Sequence, residues 1–85
     1  MQWYVYIIRC SDASFYTGIT TDMDRRFQQH AEGRGAKYFR GRQPVEVVYL
    51  EKDHSRSSAS IREAELKAMT HVEKSRLFLF DWQHT

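Results

Sequence analysis

The chain holds one cysteine, one proline, four glycines and no long apolar run, and these shortages close off several classes of protein. Cys10 has no partner for an intrachain disulfide and cannot seed a cysteine-based zinc cluster, which fits a reducing, cytoplasmic setting. The longest apolar stretch, centred on residues 5–8, falls far short of the roughly 20 residues that cross a bilayer. No basic flank with a cleavage site precedes it, so the chain is expected to be soluble, unexported and away from membranes. Repeats, linkers and low-complexity tracts are missing too, and residues 1–85 are expected to form one domain. A domain of this size buries only about 60% of the surface its unfolded chain exposes, so an active site should be a shallow groove rather than a large dry cavity.

What the chain does contain is enough for a core. Apolar residues make up 41% and aromatics 14%, which excludes disorder. The net charge is only +2, but it is unevenly spread. Arg25, Arg26, Arg34, Lys37, Arg40 and Arg42 face a single anion, Glu32, within residues 25–42, leaving +5 there and −3 elsewhere. Such a patch is the footprint of a polyanion partner.

Trp3 to Cys10 and Phe15 to Thr20 are rich in aromatic and β-branched residues and flank a turn at Ser11-Asp12, which predicts a β-hairpin. An even loop sets Cys10 opposite Phe15 and sends Tyr6 and Tyr16 to opposite faces. A three-residue loop at Ser11 to Ala13 sets Cys10 opposite Ser14 and Tyr6 opposite Gly18, and only this register brings both tyrosines to one side. It directs Val5, Ile7, Phe15 and Ile19 to one face and Tyr4, Tyr6, Tyr16 and Gly18 to the other. It also predicts a positive φ or a bulge at Ala13.

Thr21 to Asp24 resembles a capping box, and the helix it opens carries Met23, Arg26, Phe27 and His30 on one stripe with Arg25 pointing away. Gly33 should stop that helix. A basic, glycine-punctuated segment from Gly33 to Gly41 follows, then Pro44 and a strand from Val45 to Glu51 alternating around Val47 and Tyr49. A helix is expected from about Ala59 to Met69. Thr70 with Glu73 should cap a last one that ends in the apolar Leu77 to Phe80 and Trp82. The order ββ-α-β-αα implies an α+β fold, a small three-stranded mixed or antiparallel sheet flanked by helices.

The spacing Y-x9-Y-T-G-x7-R-x3-H, formed by Tyr6, Tyr16, Arg26 and His30, combines with Glu63 into a set suited to phosphodiester chemistry. Hydrolysis of that bond needs an activated water, a cation against developing charge and usually a divalent metal held by a carboxylate. A phenol can relay a proton, a guanidinium can grip two phosphate oxygens, and a glutamate can hold Mg²⁺ or Mn²⁺ while waters and phosphate complete the shell.

On these residues the chain resembles the GIY-YIG nuclease superfamily over residues 3 to about 78. Tyr4-Val5-Tyr6 stands where the superfamily has Gly-Ile-Tyr, and Tyr16-Thr17-Gly18 where it has Tyr-Ile-Gly. Arg26 follows, and Glu63-Ala64-Glu65-Leu66-Lys67 is similar to the helix bearing the metal-binding glutamate. With the segment Gly33 to Gly41 included, the likeness is greatest to the small stand-alone bacterial branch that consists of the catalytic module alone. The resemblance implies a divalent-metal-dependent endonuclease acting on DNA, with RNA left open, and selective for branched, flapped or single-stranded structure for want of a sequence-reading partner. It implies Tyr6 and Tyr16 as proton acceptor or relay, Arg26 against the phosphorane charge, His30 near the site, and Glu63 as ligand of a single Mg²⁺ or Mn²⁺. Lys37, Arg40 and Arg42 would bind flanking phosphates. Helical spacing leaves Glu65 open as the ligand instead, and the late polar residue of the superfamily could be His71, Glu73 or Gln83. Two other functions compete: a nucleic-acid binder that kept the groove without turnover, and an adaptor or homodimer joined through the apolar Leu77 to Trp82 segment.

Overall fold

The computed structural model describes residues 2–78. Strands β1 (Trp3–Cys10), β2 (Phe15–Thr20) and β3 (Pro44–His54) form one antiparallel sheet in the order β2-β1-β3. Helix α1 (Met23–Ala31) and a 3₁₀ turn (Lys37–Arg40) lie between β2 and β3, and α2 (Arg56–Lys67) and α3 (His71–Leu77) follow. Among the described residues no helix is long and apolar enough to cross a membrane.

Hairpin β1-β2 takes the odd register. Tyr6 pairs with Gly18 and Arg9 with Phe15, and the Cys10 amide donates to the Ser14 carbonyl at 2.9 Å. Ala13 sits at φ 68°, the left-handed residue that a three-residue loop requires. Asp12 steadies the turn by accepting from the Ser14 amide at 3.1 Å.

As the central strand, β1 is covered on both faces, and Val5, Tyr6, Ile7, Ile8 and Cys10 are all fully buried. Val5 and Ile7 pack with Tyr49, Ala59 and Leu66 under α2, while Tyr6, Ile8 and Cys10 pack with Phe39 on the α1 side. Each such aliphatic side chain contributes about 1.5–3 kcal/mol by leaving water, which makes β1 the backbone of both cores. Leu77 and Phe78 join the α2 side. The remainder of the apolar tail, with Phe80, Trp82 and Gln83, lies outside the described residues.

Strand β3 departs from the simple alternation expected of it. Ile8 faces Val47 but Ile7 faces Tyr49, so one extra residue bulges at Val48 and sends Val47 and Tyr49 to opposite cores. The strand also runs past Glu51 to His54, which pairs with Trp3 of β1, and Glu51 is tied to side chains around it. It accepts from Arg62 Nε at 2.8 Å, bonds His54 Nε2 at 2.8 Å and takes the Tyr49 hydroxyl. Burial alone would raise its carboxyl, but the Tyr49, Arg62 and His54 bonds outweigh that and hold it below the usual carboxylate range.

Helix α2 starts about one turn before the expected Ala59 because Ser55 and Ser58 form a reciprocal capping box. Asp22, rather than Thr21, caps α1 by accepting from the Arg25 amide at 3.1 Å. Its other end closes as predicted at Gly33, φ 76°, where the Arg34 amide reaches Gln29 and the Gly33 amide reaches His30, a Schellman motif. Thr70 and Glu73 cap α3 as the sequence indicates.

Candidate active site

The face shared by Tyr6, Tyr16 and Gly18 receives the inward stripe of α1. Its last member, His30, is fully buried and meets the Tyr6 hydroxyl through Nε2 at 2.8 Å. Tyr16 stands 6.3 Å from the Tyr6 ring and 5.2 Å from His30, centroid to centroid, and Phe39 closes the cluster 4.2 Å from the imidazole.

Two glycines make this packing fit. A Cβ on Gly18 would sit 2.4 Å from the Tyr6 hydroxyl oxygen, and one on Gly35 would sit 2.2 Å from His30 Nδ1. Gly18 is thus the floor on which the phenol lies, and Gly35 is the wall against the far side of the imidazole.

Arg26 lies half-buried at the edge of the cluster. One terminal nitrogen donates to Gln29 Oε1 at 3.0 Å and the other makes a long contact of 3.5 Å with the Gly35 carbonyl. Its Nε is buried without a partner, and no carboxylate pairs with it among the described residues. A guanidinium held by neutral acceptors keeps its full charge for an incoming anion.

Burial pushes the Tyr6 phenol up to about 12, with nearby Arg26 only partly opposing it and Tyr16 and Glu63 adding to it. Burial also lowers His30 to about 4, helped by the Arg26 charge. At neutral pH the pair is therefore an uncharged phenol bonded to an uncharged imidazole, able to exchange a proton.

Glu63, on α2, makes no hydrogen bond or ion pair with these side chains, though its charge adds to the rise at Tyr6. Its side chain is 24% exposed and pairs with Lys67 at 3.4 Å. Glu65 is 58% exposed and bound to Arg62 at 3.2 Å, on the other side of the helix. No cluster of three metal-ligating side chains occurs among the described residues. The donor set is one carboxylate, which suits a hard cation that keeps most of its waters.

The basic segment divides in two. Lys37 and Arg40 are exposed and form no ion pair among the described residues. Arg42 binds Asp12 at 2.8 Å and lies 4.0 Å over the Tyr38 ring, tying the 3₁₀ turn to the hairpin. Tyr4, which replaces the first glycine of the motif, donates to Gln2 at 3.2 Å. His71 is spent on stacking against Phe15 and bonding the Ala13 carbonyl, and Glu73 on its cap.

The sequence pattern missed Gln29 and Gly35. Gln29 was open to detection, since it stands three residues after Arg26 on the same helical face. Gly35 had no local signal, because its role depends on where the loop brings it.

The GIY-YIG catalytic domain model matches residues 2–75. The chain belongs to the GIY-YIG family. A UPF0213 protein of Haloquadratum walsbyi is 53% identical over 74 residues, covering 87% of this chain and 83% of that protein. One from Oceanobacillus iheyensis is 46% identical over 82 residues, 96% of this chain and 95% of its own length. The solution NMR structure of the UPF0213 protein from Bacillus halodurans superposes with a TM-score of 0.61 at 44% identity, covering 95% of this chain and 86% of that one. The matched stretch makes up most of the length of each of these relatives.

Proposed function

We propose that the chain is a divalent-metal-dependent endonuclease that hydrolyses phosphodiester bonds in DNA, with Tyr6, Tyr16, Arg26, His30 and Glu63 as its working side chains. The observation that carries this reading is Arg26, a half-buried guanidinium without a carboxylate partner among the described residues, beside a bonded Tyr6–His30 pair. Arg26 binds the non-bridging oxygens of the scissile phosphate and gains strength as charge builds there. Tyr6 and His30, fully buried and bonded to each other, brace Tyr16, which is the tyrosine that meets the attacking water and serves as its proton acceptor or relay. Tyr16, the more open of the two tyrosines, orients that water. Glu63 would hold one Mg²⁺ or Mn²⁺, which when bound polarises the phosphate and acidifies water. Lys37 and Arg40, with Arg42 behind them, bind phosphates flanking the cut and supply affinity without sequence choice. Because phosphate contacts carry no sequence information, selectivity falls on DNA structure.

The test is cleavage of supercoiled, linear and branched DNA by purified protein with Mg²⁺ or Mn²⁺, with RNA as a parallel substrate. Arg26→Ala and Glu63→Ala should each lose roughly 10²-fold or more, by analogy with removal of a transition-state donor. Salt-sensitive binding with no cleavage under any metal would instead identify a binding module that kept the groove.

A further inference from the structure

A groove of about 340 Å³ opens beside Arg26, where the end of β2 meets α1. Trp3 and Ile19 give it an apolar wall, Thr21 a hydroxyl, Gln29 an amide, and Arg25 and Arg26 two guanidinium groups. Neither arginine has a carboxylate partner among the described residues. Asp22 also borders the groove, but its Oδ1 accepts from the Arg25 amide at 3.1 Å as the helix cap. Outside the groove, Arg56 stands over the Trp3 ring with its guanidinium carbon 5.8 Å from the ring centroid. The groove thus sets an aromatic wall beside two guanidinium groups.

A nucleotide presents the matching pair of surfaces, a flat base and the phosphates on either side of it. We propose that this groove is a nucleotide subsite, in which the base next to the cut stacks on Trp3 while Arg25 and Arg26 hold the phosphates that flank it. The inference rests on the endonuclease reading only for the word "cut"; the subsite itself is a binding claim. A base seated on the indole has left its own stack, so the subsite favours DNA that is distorted or unpaired on one side of the scissile phosphate. Arg25, which the helical pattern sent to solvent, becomes a specificity residue. Gln29 serves both regions by bonding Arg26 and lining the groove.

The sequence has two tryptophans, so a Trp82→Phe background leaves Trp3 as the sole indole reporter. Thymidine 3′,5′-bisphosphate, titrated in EDTA where no cleavage occurs, should quench that fluorescence saturably. Arg25→Gln should weaken binding at least fivefold at an unchanged melting temperature. In the otherwise native chain, Trp3→Phe should lower kcat/KM about tenfold on an oligonucleotide with Mn²⁺. Quenching that depends on Arg25 without any cleavage would support the subsite while sinking the nuclease reading. Cleavage that proceeds undiminished in Trp3→Phe, or quenching indifferent to Arg25→Gln, would overturn the subsite.

Discussion

His30 shows how one buried side chain can link chemistry to stability. Folded, it stays neutral down to about pH 4, whereas in the unfolded chain it takes a proton near the ordinary 6.5. Between these values the unfolded state binds the extra proton, so stability should fall as pH drops from about 6.5 to 4. The loss is on the order of 2–4 kcal/mol and absent above pH 7. Denaturant melts at pH 7 and pH 5 measure it, and His30→Gln should lose most of the slope. The residues of the candidate site stood out in the sequence because their chemistry is uncommon at such spacing, and Tyr6, Tyr16 and His30 do pack together. Burial of the Tyr6 hydroxyl was not legible. It follows from the close fit of Gly18, Gly35 and Phe39, residues far apart in the chain.

At the level of elements, local signals were read well where the cause is local. Gly33, Thr70 and the three-residue loop each act through neighbours one to four positions away, and each sits where the pattern put it. The bulge at Val48 and the extension of β3 to His54 come instead from pairing with β1, which no window of sequence contains. Two substitutions probe these levels. Ala13→Gly relieves a left-handed alanine and should raise stability by about 0.5–1 kcal/mol in thermal or denaturant melts. Gly35→Ala drives a methyl into the His30 ring, where the fully buried imidazole has little room to yield. It should cost about 1–3 kcal/mol and more than tenfold in cleavage, since it tilts the partner of Tyr6. A fully active, fully stable Gly35→Ala protein would show that the imidazole is not held there.

Over the whole molecule, charge is arranged by face. Among the described residues, Arg25, Arg26, Lys37 and Arg40 have no carboxylate partner, while Arg9, Arg34, Arg42 and Arg62 are each held by an acidic neighbour. Of these eight, the first four are the ones available to a polyanion, and binding should reflect that. On duplex DNA, Arg40→Ala should reduce the slope of log K against log salt by about 0.9, the share of one phosphate. Arg42→Ala should change the slope less and lower the melting temperature more, because it also unties the 3₁₀ turn from Asp12. Anisotropy at several salt concentrations, alongside melts, separates the two.

The turn between β1 and β2 has a wider bearing. Because side chains alternate along a strand, the parity of that short connection decides whether Tyr16 joins Tyr6 or turns its back on it. Adding or removing two residues there keeps that parity. A single insertion or deletion inverts β2, moving Phe15 and Ile19 out of one core and Gly18 from beneath the phenol. The shared face of the two tyrosines thus depends on a count of residues in a short loop that supplies neither.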